Sequence, residues 1–137
     1  MNFILDASIT LAWCFEDEKT VNTTKLLDSL VDATAYVPAI WSLEVGNILV
    51  GAIKRKRISY AAVIQFLEQL NNLNIHIDNE TASKGFHDIL GLAYSEGLTT
   101  YDASYLELAM RKGLALASKD VQLCTVASRL GIPIIKP

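Results

Sequence analysis

Five short apolar runs, parted by longer amphipathic stretches, leave few folds open to this chain. The runs fall at residues 3–6, 35–37, 75–77, 114–117 and 133–135, each too short for a helix. Between them, apolar residues recur at helical spacing over 20–31, 39–55, 59–70, 80–96, 101–112 and 121–130. Strands that alternate with helices build a mostly parallel sheet, because a parallel neighbour is reached only through a crossover, and the crossover helices cover both faces. The expectation is a three-layer α/β/α domain around a sheet of about five strands. With 137 residues, 51% of them apolar, one domain spanning 1–137 buries a sufficient core. The tripeptide Asp-Ala-Ser stands at 6–8 and again at 102–104, first closing a strand and then opening a helix, and reads as chance.

Charge and cysteines narrow the function by exclusion. The formal charge is −3, from 12 basic and 15 acidic residues, so nothing attracts nucleic acid globally; such binding needs a local basic patch or a bound cation. Cys14 and Cys124 lie far apart with no metal-binding spacing, which suits a reducing cytoplasm better than a disulfide framework. The apolar start "MNFILDASITLAWCF" lacks a basic n-region and carries Asp6, so it does not read as a signal peptide. No apolar run reaches the ~18 residues of a membrane span.

In a parallel sheet, ligands gather beyond the carboxyl ends of the strands, where helix N-termini also point. Four acids are expected there. Asp6 closes the first strand, Glu44 lies early in the helix entered through Pro38, Asp102 opens the helix before the fourth strand, and Asp120 follows that strand. Each has an ordinary reading alone. Asp6 suits a turn, Glu44 a solvated first turn, and Asp120 an N-cap; Thr99 and Asp102 have the spacing of a capping box. Asp102 also falls on the apolar side of its helix with Tyr101, Tyr105, Leu106 and Ala109, opposite Ser104, Glu107 and Arg111, where a carboxylate asks for a partner. Glu44 borders the apolar stripe Trp41, Val45, Ile48, Leu49 and Ala52, and shares a strip with Asn47 and Gly51.

Jointly, four acids at one sheet edge point to oxygen ligation of a hard divalent cation. His76 and His87 sit in patterns that place them on or near the surface, and there is no Ser-His-Asp order, GxSxG elbow or phosphate-binding glycine loop.

The ordered set resembles the PIN domain, and within it the small VapC-type toxins. "FILDAS" is similar to that family's opening strand with its first acid, Asp6, and the hydroxyl residue Ser8. "PAIWSLEVGNIL" resembles its Pro-x-x-x-x-x-Glu-x-x-Asn-x-Leu segment, with Glu44 and Asn47; "LTTYDASYLELAMRKGLALASKD" resembles the segment that supplies Asp102, Ser118 and Asp120; "GIPII" matches its final strand. Ala7 departs from the threonine often found there. The resemblance implies an Mg²⁺- or Mn²⁺-dependent endoribonuclease, a homodimer, and inhibition by a cognate antitoxin protein. A metal-dependent DNA nuclease and a non-catalytic protein-binding module remain alternatives.

Under that reading Asp6 and Asp102 meet the cation first, Glu44 holds one of its waters or a second ion, and Asp120 completes the shell. Ser8, Asn47 and Ser118 are expected to orient the acids by hydrogen bonds. The basic run Lys54, Arg55, Lys56 and Arg57 is either a contact for RNA phosphates or a solvated helix end favoured by the dipole.

Overall fold

The structure is a computed structural model that describes residues Met1–Pro137. In chain order it runs β1 (Phe3–Leu5), α1 (Ala7–Cys14), a 3₁₀ turn (Glu16–Glu18), α2 (Val21–Ser29), β2 (Ala35–Val37), α3 (Trp41–Lys54), α4 (Tyr60–Asn71) and β3 (Ile75–Ile77). It continues through α5 (Thr81–Lys84), a π-helical segment (Gly85–Ile89), α6 (Leu90–Glu96), α7 (Thr100–Lys112), β4 (Ala115–Ala117), α8 (Val121–Arg129) and β5 (Ile134–Ile135). The five strands are all parallel, in the order β3-β2-β1-β4-β5, and form the middle layer of a three-layer α/β/α fold. No helix is long and apolar enough to cross a membrane.

Burial follows position in the sheet. Phe3, Ile4 and Leu5 of central β1 are fully buried, whereas β3 at the edge leaves His76 and Ile77 exposed. A strand with neighbours on both sides and helices on both faces has no solvent side, so its sequence is a continuous apolar run. The core gathers β1 with Leu49 of α3, Tyr105, Leu106 and Leu108 of α7, Leu116 of β4 and Leu123 of α8.

Local chemistry sets the helix ends. Thr20, Ser59, Thr99 and Asp120 each accept a hydrogen bond from a backbone N–H in the first turn of the helix that follows. Gly97 and Gly113 end α6 and α7 with φ of 67° and 65°, a left-handed conformation that glycine adopts without steric cost.

Four expectations are corrected. Helix α1 is absent from the periodicity, because "ASITLAWC" buries Ala7, Ile9, Thr10, Leu11, Ala12 and Trp13 and has no polar face to reveal its period. The helix expected over 80–96 is split by the π-helical segment. The Asp-Ala-Ser that closes β1 also opens a helix, since Asp6 is the N-cap of α1, whereas Asp102 is the third residue of α7. Finally, α7 is not two-faced. Residues Ala103 to Ala109 are all buried, including Ser104 and Glu107 from the expected polar side, while Tyr101 from the expected apolar side is 57% exposed.

Candidate active site

Strand order places the site. From β1 the chain moves outward on one side through β2 and β3, then returns to build β4 and β5 on the other, so the direction of winding reverses between β1 and β4. Diverging connections leave a crevice at the carboxyl ends of such a pair. Asp6 follows β1 and Ser118 follows β4 across that crevice, where a backbone bond of 3.0 Å runs from Asp6 N to Ala117 O.

Asp6 is 7% exposed and held by two hydroxyls, Ser8 Oγ and Ser118 Oγ, each donating to its Oδ2 at 2.7 Å. The direction of these bonds is imposed by the backbone. Ser8 Oγ accepts from Lys119 N at 2.9 Å and Ser118 Oγ accepts from Asp120 N at 3.0 Å, so each hydroxyl turns its proton to the carboxylate. Glu44 sits in the first turn of α3, and its Oε1 accepts from the Tyr105 hydroxyl of α7 at 2.6 Å. Asp102 lies in the first turn of α7, where Thr99 Oγ1 accepts from its backbone N–H at 3.1 Å. Asp120 is exposed, and its Oδ1 caps α8 by accepting from Leu123 N at 3.1 Å.

The acids sense one another electrostatically. Burial raises the pKa of Asp6 above the usual carboxylate range, partly offset by the Ser118 and Ser8 hydroxyls, and the charge of Asp120 adds to the rise. Burial likewise raises Glu44, opposed by the Tyr105 hydroxyl and reinforced by Asp6 and Asp102. Asp102 is raised by burial first, then by the charges of Asp120 and Asp6. No lysine or arginine forms an ion pair with any of the four.

The acids therefore share one field, yet as the side chains stand, no three acids, histidines or cysteines converge to hold a metal ion. Asp6 is turned to two serines, Glu44 to Tyr105 and Asp120 to the N-terminus of α8. The donor chemistry nonetheless fits a hard divalent cation, since all four acids offer carboxylate oxygen and none is neutralised by the protein.

Ser8 and Ser118 hydrogen-bond one of the four acids, Asp6. Asn47 does not: it is exposed, one turn beyond Glu44, and makes no side-chain hydrogen bond to the acids. The basic run stands apart, because Lys54 is ten residues along α3 from Glu44, about 15 Å. Arg57 is also engaged elsewhere. Its Nη2 lies 2.8 Å from Asp17 Oδ1 and its Nη1 3.0 Å from Glu18 Oε2, and its guanidinium rests over the Phe15 ring. The sequence assigns Tyr105 to the core and nothing more. It is fully buried, yet its hydroxyl fixes Glu44, and its place three residues after Asp102 on the same helix face is the signal available.

Known proteins resemble this chain in sequence and in fold. A protein of Pyrobaculum aerophilum described as exonuclease VapC9 is 27% identical over 124 residues, 90% of this chain and 84% of that one. A solved Pyrobaculum aerophilum structure superposes with a TM-score of 0.65 at 24% identity, covering 96% of this chain and 98% of its own. VapBC2 from Rickettsia felis, solved bound to a DNA fragment from its promoter, gives a TM-score of 0.67 at 11% identity, with coverages of 98% and 97%. The PIN domain family model matches residues 3–128, and with the parallel sheet and its edge of acids this establishes that the chain belongs to the PIN domain family.

Proposed function

We propose that this chain is a divalent-metal-dependent endoribonuclease, the toxin partner of a VapB-type antitoxin, acting as a homodimer. One observation supports the reading: four carboxylates without a cationic partner lie around the switch point of a parallel sheet, three of them with pKa values raised by burial and by neighbouring acids. Mg²⁺ or Mn²⁺ supplies such a site with charge neutralisation at the phosphoryl oxygens and a more acidic attacking water. The chain's own residues prepare for it. The serines hold Asp6 in one rotamer, Tyr105 does the same for Glu44, and the first turn of α7 presents Asp102. Raised pKa values also mean that cation binding competes with protons, so affinity rises with pH as the acids ionise. The Rickettsia felis assembly supports the antitoxin partner by likeness of fold.

The description of the Pyrobaculum relative as an exonuclease favours a second reading, attack from strand ends. One assay separates the readings: purified protein with linear RNA, circular RNA and linear DNA of one sequence, with and without Mg²⁺. The expected result is cutting of both RNAs only with metal, and a loss of roughly 10²–10⁴-fold in Asp6→Ala, the range one well-placed catalytic group contributes. Cutting of linear RNA alone would assign an exonuclease, and equal cutting of DNA a general nuclease. No cutting of any substrate with metal present would leave a non-catalytic binding module.

A further inference from the structure

Beside the acids lies a second feature of opposite charge. A groove of about 780 Å³ runs between α8 and the chain around β5, lined by Lys119, Arg129 and Lys136 together with Ser118, Thr125 and Ser128. No acidic residue lines it, in a chain whose net charge is −3. Ser118 belongs to both features: it lines the groove while its hydroxyl donates to Asp6 at 2.7 Å.

The groove's cations are available to an incoming anion. Lys136 is exposed and forms no ion pair. Lys119 Nζ lies 3.9 Å from Glu18 Oε1, with both side chains about one-third exposed, and Arg129, 62% exposed, pairs with Glu96. The Lys119–Glu18 contact is long and weak, and Arg129 holds the largely buried Glu96 through one terminal nitrogen alone, which leaves its other N–H groups to an anion. The acid that adjoins Lys119 in the chain, Asp120, is committed through Oδ1 to the N-terminus of α8. The volume lies within the range of pockets that take small molecules, which accommodates one nucleotide unit.

We propose that this groove seats a phosphate of the single-stranded nucleic acid next to the bond that the acids cut. The proposal deepens the phosphodiesterase reading above and rests on it for the identity of the strand. Its chemistry is general. Phosphate contacts from lysine and arginine set the register of a strand, and removal of one such cation flattens the salt dependence of binding by roughly 0.7 in log–log slope for single strands.

Cys124 supplies a reporter, since it lines the groove and is partly exposed. In a Cys14→Ser background with chelator present, alkylation of Cys124 by iodoacetamide is followed by mass spectrometry, alone and with a short RNA oligonucleotide. Inorganic phosphate at equal ionic strength is the control. Affinity is measured in parallel by fluorescence anisotropy for this protein and for Arg129→Glu/Lys136→Glu. The expected result is alkylation slowed severalfold by the oligonucleotide, with affinity about tenfold weaker and the salt slope lower in the charge-reversed variant. Unchanged alkylation with unchanged affinity would overturn the proposal, as would protection by inorganic phosphate that the oligonucleotide does not exceed. Weaker affinity without protection would also overturn it, since the cations would then act only at long range. The two readings fail separately. Protection by the oligonucleotide in a protein that cuts nothing under any condition keeps the groove and removes the chemistry, whereas metal-dependent cutting with Cys124 unprotected keeps the chemistry and removes the groove.

Discussion

Two regions of this molecule bury carboxylates, and they do so in opposite ways. At the sheet edge, Asp6, Glu44 and Asp102 have raised pKa values and no cationic partner. Toward the far end of α7, Glu107 and the Asp78 that follows β3 are as deeply buried as Asp6, yet Arg111 joins them, with Nη2 at 2.7 Å from Asp78 Oδ2 and Nε at 2.8 Å from Glu107 Oε2. Its hydrogen bonds hold Asp78 below the usual carboxylate range, and its own pKa is raised in return, first by Glu107 and then by Asp78. Burial of an acid is therefore no sign of function by itself. The difference lies in whether the protein supplies the counter-charge, and where it does not, a ligand must.

The largest effect is expected at the uncompensated region. Asp102→Asn keeps the shape and removes one charge, so RNA cleavage should fall on the order of 10²–10⁴-fold, read as initial rates at saturating Mg²⁺. An Asp102→Asn protein that cuts normally would turn this region into a second structural network and erase the contrast. At the compensated region, Arg111→Met leaves two buried acids without a partner. Unfolding in urea should show a loss of about 3 kcal/mol, the lower end for broken buried pairs because one-fifth of the Arg111 side chain is exposed. A loss below about 1 kcal/mol would place that cluster among exposed pairs of little worth.

The regions should also differ in the sign of their pH dependence. Asp102 has a folded pKa above its unfolded value, so its contribution to stability is fully present below the unfolded pKa and is lost as pH rises through the folded one. Asp78 is the reverse: its contribution is present above the unfolded pKa and is lost as pH falls through the folded one. Thermal melts in chelator should therefore show Asp102→Asn gaining on the parent as pH rises from acid to neutral. Mg²⁺ should restore the parent more than the variant. A capping carboxylate predicts a variant less stable in chelator by roughly 0.3 to 1 kcal/mol.

The smallest effect sharpens the role of Asp120, which caps α8 while its charge acts on Asp6 and Asp102. Asp120→Ala should cost about 1 kcal/mol in urea, whereas Asp120→Asn, an equally good cap, should leave stability unchanged. Loss of cleavage in the asparagine variant would then report the charge rather than the cap.

Much of this was legible in the sequence. The strand positions, the parallel α/β class and the four acids follow from short apolar runs, helical spacing and the rule that ligands gather at strand ends. Helix α1 was not legible, because a helix buried all round shows no period. Nor was the polarity of α7, since Ser104 and Glu107 read as solvent-facing until their partners are known: Glu107 is covered by Arg111, and Ser104 donates to Tyr101 O at 2.6 Å. Ser8 and Ser118 stand out in the sequence as hydroxyl residues near the acids, whereas the Tyr105 bond to Glu44 does not, because a buried tyrosine looks the same whether or not its hydroxyl has a task.

By itself the sequence determined which residues are acidic, which runs are strands and which residues start helices, since these depend on side-chain chemistry and on neighbours within a few positions. Only the tertiary structure decided which acids remain without a counter-charge. Asp78 and Glu107 meet Arg111, and Asp6 meets Ser118 across more than a hundred residues, because the strand order β3-β2-β1-β4-β5 sets β1 beside β4. Charge compensation depends on distance in space, and the order of strands in a sheet is what converts positions along the chain into that distance.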